Sequence, residues 1–335
     1  MDSLSQIALG SAVGLAVMGR RTALWKAALW GAVAGTLPDL DALLDYGDPV
    51  RNMTYHRGET HALFYLTLAS PLLAWLVTRI HGEAALFKRW WLTLWLVLVT
   101  HPLLDTMTVY GTQLALPFSN HPFGVGSIFI IDPLYTLPLL VGVVVALRSR
   151  QTDRLRWNTA GLVLSTAYLG WSVVAQQQAL DAARESLAAQ GVTVQQVMAT
   201  PAPFNTVLWR ILVITPDAHL EGFYSLLDGR REVQFDRFDR GADLYEKLRG
   251  HWPVDRIAWF SRGYFKMQAR DGEVLMSDLR MGQEPFYFFT FRMARLQSEP
   301  VPLEHPEQVG ARPDVVRGLP WLWRRMWGDP LPVPR

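Results

Sequence analysis

The sequence lacks cysteine and carries little net charge. Without cysteine, disulfide bonds and thiolate-bound zinc are excluded, so any metal site must be built from histidine and carboxylate side chains. A formal net charge of +2 gives no basis for binding nucleic acid, which needs a concentrated positive surface. No Lys or Arg precedes the first apolar run, so the basic region of a cleaved signal peptide is missing and we expect that run to stay.

Apolar residues are abundant instead, at 50% of the chain with 14 Trp, and they concentrate in the first 180 residues. We therefore predict a mainly α protein, a polytopic membrane bundle of about six helices followed by a small antiparallel β or α+β extracytoplasmic domain. The first two segments are short for a bilayer, so Gly10 and Gly14 favour a closely packed hairpin there. The predicted helices are 4–19, 22–37, 62–80, 90–107, 133–147 and 158–177.

The basic residues predict an orientation for these helices. If the helices alternate, three connections on one side hold ten Lys or Arg, whereas the opposite connections hold only Arg51 and Arg57. Positive charge collects on the cytoplasmic side, so the N-terminus and the C-terminal domain are expected to face the periplasm of a bacterial inner membrane. The ten residues are Arg20, Arg21, Lys26, Arg79, Lys88, Arg89, Arg148, Arg150, Arg154 and Arg156.

Beyond residue 178 the pattern changes. We predict a membrane domain at 1–178, a helical stalk at 179–200 that ends near Gly191, a β-rich domain at 201–298 and an irregular Pro-rich tail at 299–335. Short β-branched and aromatic runs mark the strands, and two Asp-Gly pairs predict hairpin turns. The strand candidates are 207–214, 257–260 and 286–291, and the turns are Asp228-Gly229 and Asp271-Gly272.

Histidine and aspartate recur where packing an apolar core would not require them. His101 and Asp105 are four residues apart, so they share one face of a helix, as paired metal ligands do. Asp39 and Asp41 point the same way if that segment is extended. His56 is expected in the loop and His61 on the first turn of the next helix, with Gly58 letting the backbone fold back. The candidate ligands are thus Asp39, Asp41, His56, His61, His101 and Asp105, with Asp132 as a weaker seventh.

Each candidate also has a structural explanation. His101 and Asp105 could be a hydrogen-bonded pair that fixes the bundle, and Asp39 and Asp41 could cap a helix end. Asp132 precedes a proline at a helix start, where N-capping explains it equally well. Six groups converging on the outer face nevertheless favour a metal site, because buried ionisable groups in lipid are costly unless they bind something.

The segments Pro38-Asp-Leu-Asp, His56-Arg-Gly-Glu-Thr-His61, His101-Pro-Leu-Leu-Asp105-Thr106 with Tyr110-Gly-Thr112, and Ile130-Ile-Asp-Pro-Leu-Tyr135 carry a resemblance. Over roughly residues 1–180 the chain resembles the YdjM family of inner-membrane metal-dependent hydrolases, also described as LexA-regulated. The spacing of His and Asp on helices is more distantly similar to the zinc-dependent phospholipase C and P1 nuclease group. Ala62 follows His61 where the family often has Ser.

The resemblance implies a hydrolase that uses one or two divalent ions, zinc or manganese. Glu59 is then the candidate general base and Arg57 the candidate phosphate-binding residue, although a surface ion pair between them is an equal alternative. A site at the lipid–water boundary favours a membrane lipid or lipid-linked phosphoester or ester as substrate. Two other classes stay open: a metal-stabilised membrane protein whose outer β domain binds a protein partner, and an ion transporter, which the shallow placement of the ligands disfavours.

Overall fold

The computed structural model describes residues 1–310 and 315–334 of the chain. Its first half is helical and its second half is antiparallel β, as predicted. The α-helices are α1 (Ser3–Met18), α2 (Leu24–Thr36), α3 (Pro49–Tyr55), α4 (Leu63–His81), α5 (Phe87–Thr106), α6 (Pro133–Arg148), α7 (Leu155–Ala189), α8 (Ala242–Leu248), α9 (Trp252–Phe260) and α10 (Val315–Met326). Two short 3₁₀ segments, Pro38–Leu43 and Glu59–His61, lie between α2 and α4.

The strands are β1 (Gln196–Pro201), β2 (Leu208–Ile214), β3 (Ala218–Ser225), β4 (Phe235–Asp239), β5 (Phe265–Arg270), β6 (Glu273–Asp278), β7 (Gly282–Gln283), β8 (Phe286–Tyr287), β9 (Thr290–Leu296) and β10 (Pro300–Gln308). They form two four-stranded antiparallel sheets, in the orders β1-β2-β3-β4 and β10-β9-β6-β5, and a small β7-β8 ribbon.

The chain divides into two compact units. The first unit comprises Met1–Leu44, Arg57–Ser172 and Pro203–Asn205, and the second comprises Asp45–His56, Val173–Ala202 and the described part of Thr206–Arg335. Residues 45–56, with α3, therefore belong to the second unit although the chain on both sides of them belongs to the first.

Glycine allows the first two helices of the first unit to pack closely. A Cβ added to Gly10 would lie 2.2 Å from the Gly31 carbonyl oxygen, and one on Gly14 would lie 2.3 Å from that of Ala27. Small residues that let two backbones touch are typical of helix pairs in lipid. The predicted close packing of this hairpin is therefore what the structure has.

Length decides which helices can cross a bilayer upright. Across the described residues, only α4 is both long and apolar enough by itself, and α1 and α6 are apolar but shorter. At 1.5 Å per residue, the 16 residues of α1 span less than a hydrocarbon core of about 30 Å. The six-span bundle thus stays a prediction.

In the second unit, one predicted turn is confirmed, and one predicted strand and one predicted turn are not. Residues 257–260, predicted as a strand, end helix α9, because Pro253 starts that helix and its apolar residues Val254, Ile257 and Phe260 recur every three positions. Asp271-Gly272 forms the predicted two-residue turn, with positive φ at both residues. Asp228-Gly229 instead lies in the nine-residue connection between β3 and β4.

The predicted stalk and tail also differ. Helix α7 continues without a break to Ala189, but residues 196–201 form β1 rather than stalk. The Pro-rich tail contains β10 and α10, whereas residues 311–314 and 335 of it lie outside the described residues. Proline is tolerated in β10 because that strand is at the edge of its sheet, where a missing N–H breaks few ladder bonds.

Candidate metal centre

Four of the predicted ligands meet at one point of the first unit. Asp39 comes from the first 3₁₀ segment, His61 from the second, and His101 and Asp105 from one face of α5. One ligand atom from each lies within 4.8 Å of those of the other three. Three of these side chains are at most 1% exposed, and Asp39 is 23% exposed. The centre is therefore reached from outside through Asp39.

Five of the six distances between the four atoms match those around a tetrahedral ion. His61 Nε2 lies 3.2 Å from His101 Nε2, 3.2 Å from Asp39 Oδ1 and 3.3 Å from Asp105 Oδ2. His101 Nε2 lies 3.4 Å from each of the two carboxylate oxygens. A tetrahedron with bonds of about 2.0 Å, as zinc forms with imidazole and carboxylate, has edges of about 3.3 Å.

Hydrogen bonds at Nδ1 of each ring fix the tautomer of the two histidines. His101 Nδ1 lies 2.7 Å from the Gly35 carbonyl oxygen, which can only accept, so this nitrogen carries the proton. The Thr60 hydroxyl donates to Asp41 Oδ2 at 2.8 Å and therefore accepts from His61 Nδ1–H at 2.9 Å. In neutral rings both Nε2 lone pairs then face each other, an arrangement that only a cation between them makes favourable.

Asp105 is oriented by contacts on one of its oxygens. The N-terminal amine of Met1 and the Gln6 side-chain amide, the latter at 3.2 Å, both donate to Oδ1. Oδ2 is buried without a hydrogen bond, and the Arg57 guanidinium lies 3.5 Å from it. A buried carboxylate oxygen without a hydrogen-bond donor is suited to binding a cation. The residues present thus fit a divalent ion.

Asp39 is kept ionised although it is partly buried. Burial acts to raise the pKa of its carboxyl group, but its contacts with the His101 and His61 side chains outweigh burial and hold the pKa below its usual range. An ionised carboxylate is the form that binds a metal.

The other predicted residues lie around the centre or away from it. Asp41 is not extended beside Asp39, because the segment is a 3₁₀ helix; it accepts from the Arg57 backbone N–H and from Thr60 and so supports His61. His56 ends α3 in the second unit and is not part of the four-residue group. Asp132 caps α6 through the Leu134 N–H and accepts from the Tyr168 hydroxyl, so capping explains it.

Arg57 and Glu59 occupy different surroundings. Arg57 is 3% exposed, donates to the Thr108 hydroxyl and pairs with Asp105, so it is not at the surface, as the alternative of an ion pair with Glu59 requires. Glu59 is exposed at the start of the second 3₁₀ segment. The backbone reverses at Arg57, whose φ is 64°, rather than at Gly58. A left-handed non-glycine residue next to a ligand segment stores strain at the site.

Sequence reasoning missed three supporting groups, namely Gln6, Thr60 and the Gly35 carbonyl. Gln6 is a lone amide in an apolar helix, and this pattern alone could have indicated a buried polar contact. Thr60 and the Gly35 carbonyl gave none, because their roles depend on how three separate segments meet.

A known protein family shares the part of the chain that carries the centre. A model of the YdjM inner membrane protein family matches residues 1–179, which is more than half of the chain. The chain belongs to this family. It is also 28% identical over 151 residues to the uncharacterized protein YfhP of Bacillus subtilis (strain 168), a match that covers 43% of this chain and 46% of that protein. The match therefore spans about half of the curated relative, and no solved structure matches the chain.

All four residues of the centre, and the residues that support them, lie inside the part of the chain that the YdjM model matches. The second unit lies mostly outside it. The family name places the protein in an inner membrane.

Proposed function

We propose that the four-residue centre binds one divalent ion, zinc or manganese, and that this YdjM-family protein is a membrane-bound metal-dependent hydrolase. The observation that carries the proposal is the meeting of two imidazole nitrogens and two carboxylate oxygens at tetrahedral spacing. All four converge on a single point, which favours one ion rather than two. Nitrogen and oxygen ligands of this kind suit zinc and manganese.

A divalent ion supplies Lewis acidity, which makes water more acidic and polarises a phosphoryl or acyl oxygen. The chain's own residues would orient the ligands and accept the proton. Thr60 and the Gly35 carbonyl hold the two histidine rings, and Arg57 holds Asp105. Glu59, exposed beside His61, is our candidate for the general base that accepts a proton from water. Arg57 has one guanidinium nitrogen on Thr108, so any phosphate it holds shares it with that hydroxyl.

The substrate class follows from the setting in the membrane. Entry past Asp39, the one partly exposed ligand, would bring a polar head group to the centre while its apolar chain stays in lipid. An apolar groove of about 350 Å³ between α6 and α7, lined by residues such as Leu134, Val141 and Leu164, offers surface for such a chain. We therefore propose a lipid-linked phosphoester or ester as substrate. It would bind at the periplasmic face of a bundle of six membrane-spanning helices.

A specific observation favours a second candidate function. Structural zinc sites are usually closed by four protein ligands, whereas catalytic sites use three and leave one position for water. Here four protein atoms would already supply all four ligands. A metal that only stabilises the bundle, with the second unit binding a protein partner, is thus the alternative. For hydrolysis, the more exposed Asp39 is the ligand that would have to give way or share the ion.

One set of measurements separates these candidates. Metal content of the detergent-purified protein is measured by mass spectrometry, beside the His61→Ala, His101→Ala double variant. One equivalent of zinc or manganese in the wild type, lost in the variant, supports the site; no metal in either, even after reconstitution, overturns it. Metal-dependent product release from phospholipids or polyprenyl phosphates in mixed micelles, abolished by Glu59→Gln with metal content unchanged, supports the hydrolase. Bound metal without hydrolysis of any lipid class leaves the structural role.

A further inference from the structure

Helix α10 presents an apolar stripe outward. Its outward residues recur at spacings of three and four, which is one face of an α-helix. They are large and well exposed: Val316 at 83%, Leu319 at 46%, Trp323 at 60% and, just past the helix end, Trp327 at 60%. The rings of Trp323 and Trp327 lie against each other at 5.8 Å. Together these four residues form a continuous apolar strip, which we call the α10 strip.

The opposite face of α10 is fixed to the second unit. Trp321, Leu322 and Met326 pack against a cluster that contains Leu208 and Phe223. Arg325 donates to both carboxylate oxygens of Asp228 and to the Phe223 carbonyl, and the Ser225 hydroxyl donates to the Met326 carbonyl. With so many polar and apolar contacts on its inner face, the helix cannot rotate to bury the α10 strip.

The side chains of the strip indicate what covers it. Two of the three Arg in residues 315–329 already have carboxylate partners within the second unit, Arg324 with Asp329 and Arg325 with Asp228, so the exposed face is defined by its apolar residues. A helix with Trp and Leu on its exposed face is typical of helices that lie in the plane of a bilayer surface. Trp also prefers the interfacial layer, where its ring is in acyl chains and its N–H reaches polar groups.

A bilayer surface is the apolar partner that is always present, because the chain belongs to an inner membrane protein family. A second copy of the chain, with two α10 strips paired by two-fold symmetry, is the other occupant, and the test below distinguishes it.

We propose that the α10 strip is a membrane-docking surface, through which the second unit rests in the interfacial layer of a phospholipid bilayer. Trp323 and Trp327 would enter the acyl-chain boundary, with their indole N–H groups toward the polar layer. This docking is independent of whether the first unit binds a metal.

The absence of cysteine makes a clean test available. Trp323→Cys in the full chain is spin-labelled and reconstituted into nanodiscs of phosphatidylcholine with or without phosphatidylglycerol. Collision with oxygen, which partitions into lipid, is compared with collision with a water-soluble nickel chelate. The matched control is Asp271→Cys, on the exposed β5–β6 turn of the same unit. In both lipid mixtures we expect the label at 323 to be protected from the nickel chelate and exposed to oxygen, and the label at 271 to be accessible to the nickel chelate.

Equal access of nickel to both labels would overturn the proposal. So would strong spin–spin broadening at 323 with two protomers per disc and no oxygen signal, because that outcome assigns the strip to a second copy. Leu319→Cys, on the same face, gives an independent reading if the Trp323 variant does not fold. Its label is expected to show the same oxygen preference.

Discussion

At the scale of single residues, the two histidines of the centre are prepared for metal by groups that never touch it. Gly35 offers a carbonyl oxygen to His101, and Thr60 offers a hydroxyl oxygen to His61. Each contact places the ring proton on Nδ1, so the Nε2 lone pair is directed at the centre. Because outer partners of this kind fix ring orientation and raise ligand basicity, their loss typically lowers metal affinity 10- to 100-fold.

Thr60 is the testable member of this pair, because its hydroxyl connects His61 to Asp41. We expect Thr60→Ala to weaken metal binding by about 10- to 100-fold, measured by competition with a fluorescent chelator. Thr60→Ser keeps the hydroxyl and should bind nearly as the wild type does. Equal affinity of the Ala and Ser variants would show that the hydroxyl does not hold the ring.

A second group of residues is buried in the second unit, away from the metal centre. Glu284 accepts from the Lys266 ammonium at 2.6 Å and contacts His219 Nε2 at 3.0 Å, and Arg210 pairs with Glu221 nearby. Burial favours the neutral form of Glu284, but His219 and Lys266 outweigh it and lower the pKa of the carboxyl group to about 2. Burial also lowers the pKa of His219.

These shifts make stability depend on pH. Because the folded pKa of Glu284 lies below its unfolded value near 4.5, the stabilisation is complete above about pH 4.5 and is lost as pH falls toward 2. A shift of this size corresponds to about 3 kcal/mol. We expect Glu284→Gln to unfold at a lower temperature at pH 7, because Lys266 loses its charge partner, and to show a weaker dependence on pH between 4.5 and 2.

The measurement is the unfolding temperature in detergent from pH 7 to pH 2.5, followed by intrinsic fluorescence. Glu304→Gln, a change at an exposed carboxylate of the same unit, is the control and should follow the wild type. An unchanged slope in the Glu284 variant would mean that other carboxylates set the acid sensitivity.

At the scale of elements, the α1–α2 hairpin depends on glycine at the point where the two backbones touch. A Cβ on Gly31 would lie 2.1 Å from the Gly10 carbonyl oxygen, whereas a Cβ on Gly170 in α7 would meet nothing within 4 Å. We expect Gly31→Ala to separate the helices and to cost about 1–3 kcal/mol or more. Gly170→Ala should be neutral or stabilise by up to about 1 kcal/mol, because alanine is the better helix former.

Thermal unfolding of the two Gly→Ala variants in one detergent makes the comparison. The same substitution is thus expected to act in opposite directions in two helices of one chain. If both variants unfold at the same temperature, the helices are free to adjust and close packing is not what holds the hairpin.

Helix α3 is held by one arginine of α9. Arg256 donates to the Thr54 hydroxyl at 3.0 Å, and its guanidinium lies 5.0 Å from the Tyr55 ring and 4.2 Å from the Trp259 ring. A hydrogen bond and cation–π contacts together contribute about 1–3 kcal/mol. We expect Arg256→Ala to release residues 45–56, which would be seen as faster cleavage by chymotrypsin at Tyr46 or Tyr55.

The matched control for this change is Arg184→Ala, which removes an exposed arginine of α7. It should leave the cleavage rate of the wild type unchanged. A rate that is equally low in the Arg256 variant would show that α3 is held by its other contacts.

How far the sequence could be interpreted depended on the length and regularity of each element. The long apolar helices and the i, i+4 pair His101 and Asp105 could be predicted, because one helix alone fixes that spacing. The placement of Asp39 and Asp41 could not be predicted. Side chains two residues apart point the same way in a strand but in different directions in a 3₁₀ helix. The four-residue run at 257–260 was too short for its period to show, and the prolines of β10 concealed an edge strand.

At the scale of the whole molecule, orientation is the prediction that the distribution of charge makes. Gly229→Cys reports on the β3–β4 connection and Arg150→Cys on the connection between α6 and α7, and no native cysteine interferes. A membrane-impermeant maleimide should label position 229 in cells with a permeabilised outer membrane, and position 150 only after lysis of the inner membrane. The reverse pattern would place the second unit in the cytoplasm.

Nothing in the composition of residues 45–56 indicated that they group with residues far along the chain. The segment is polar and short, as a loop between two helices would be. The contacts of α3 with α9 and with β10 assign it to the second unit.

That assignment has a consequence during synthesis. The ribosome makes α3 long before α9, so residues 45–56 lack their packing partner while some 200 further residues are added at about 5–20 residues per second. These residues connect the segments that contribute Asp39 and His61. A chain whose translation stops before α9 therefore contains all four residues of the candidate centre, but the connection between two of them lacks the helix that holds it.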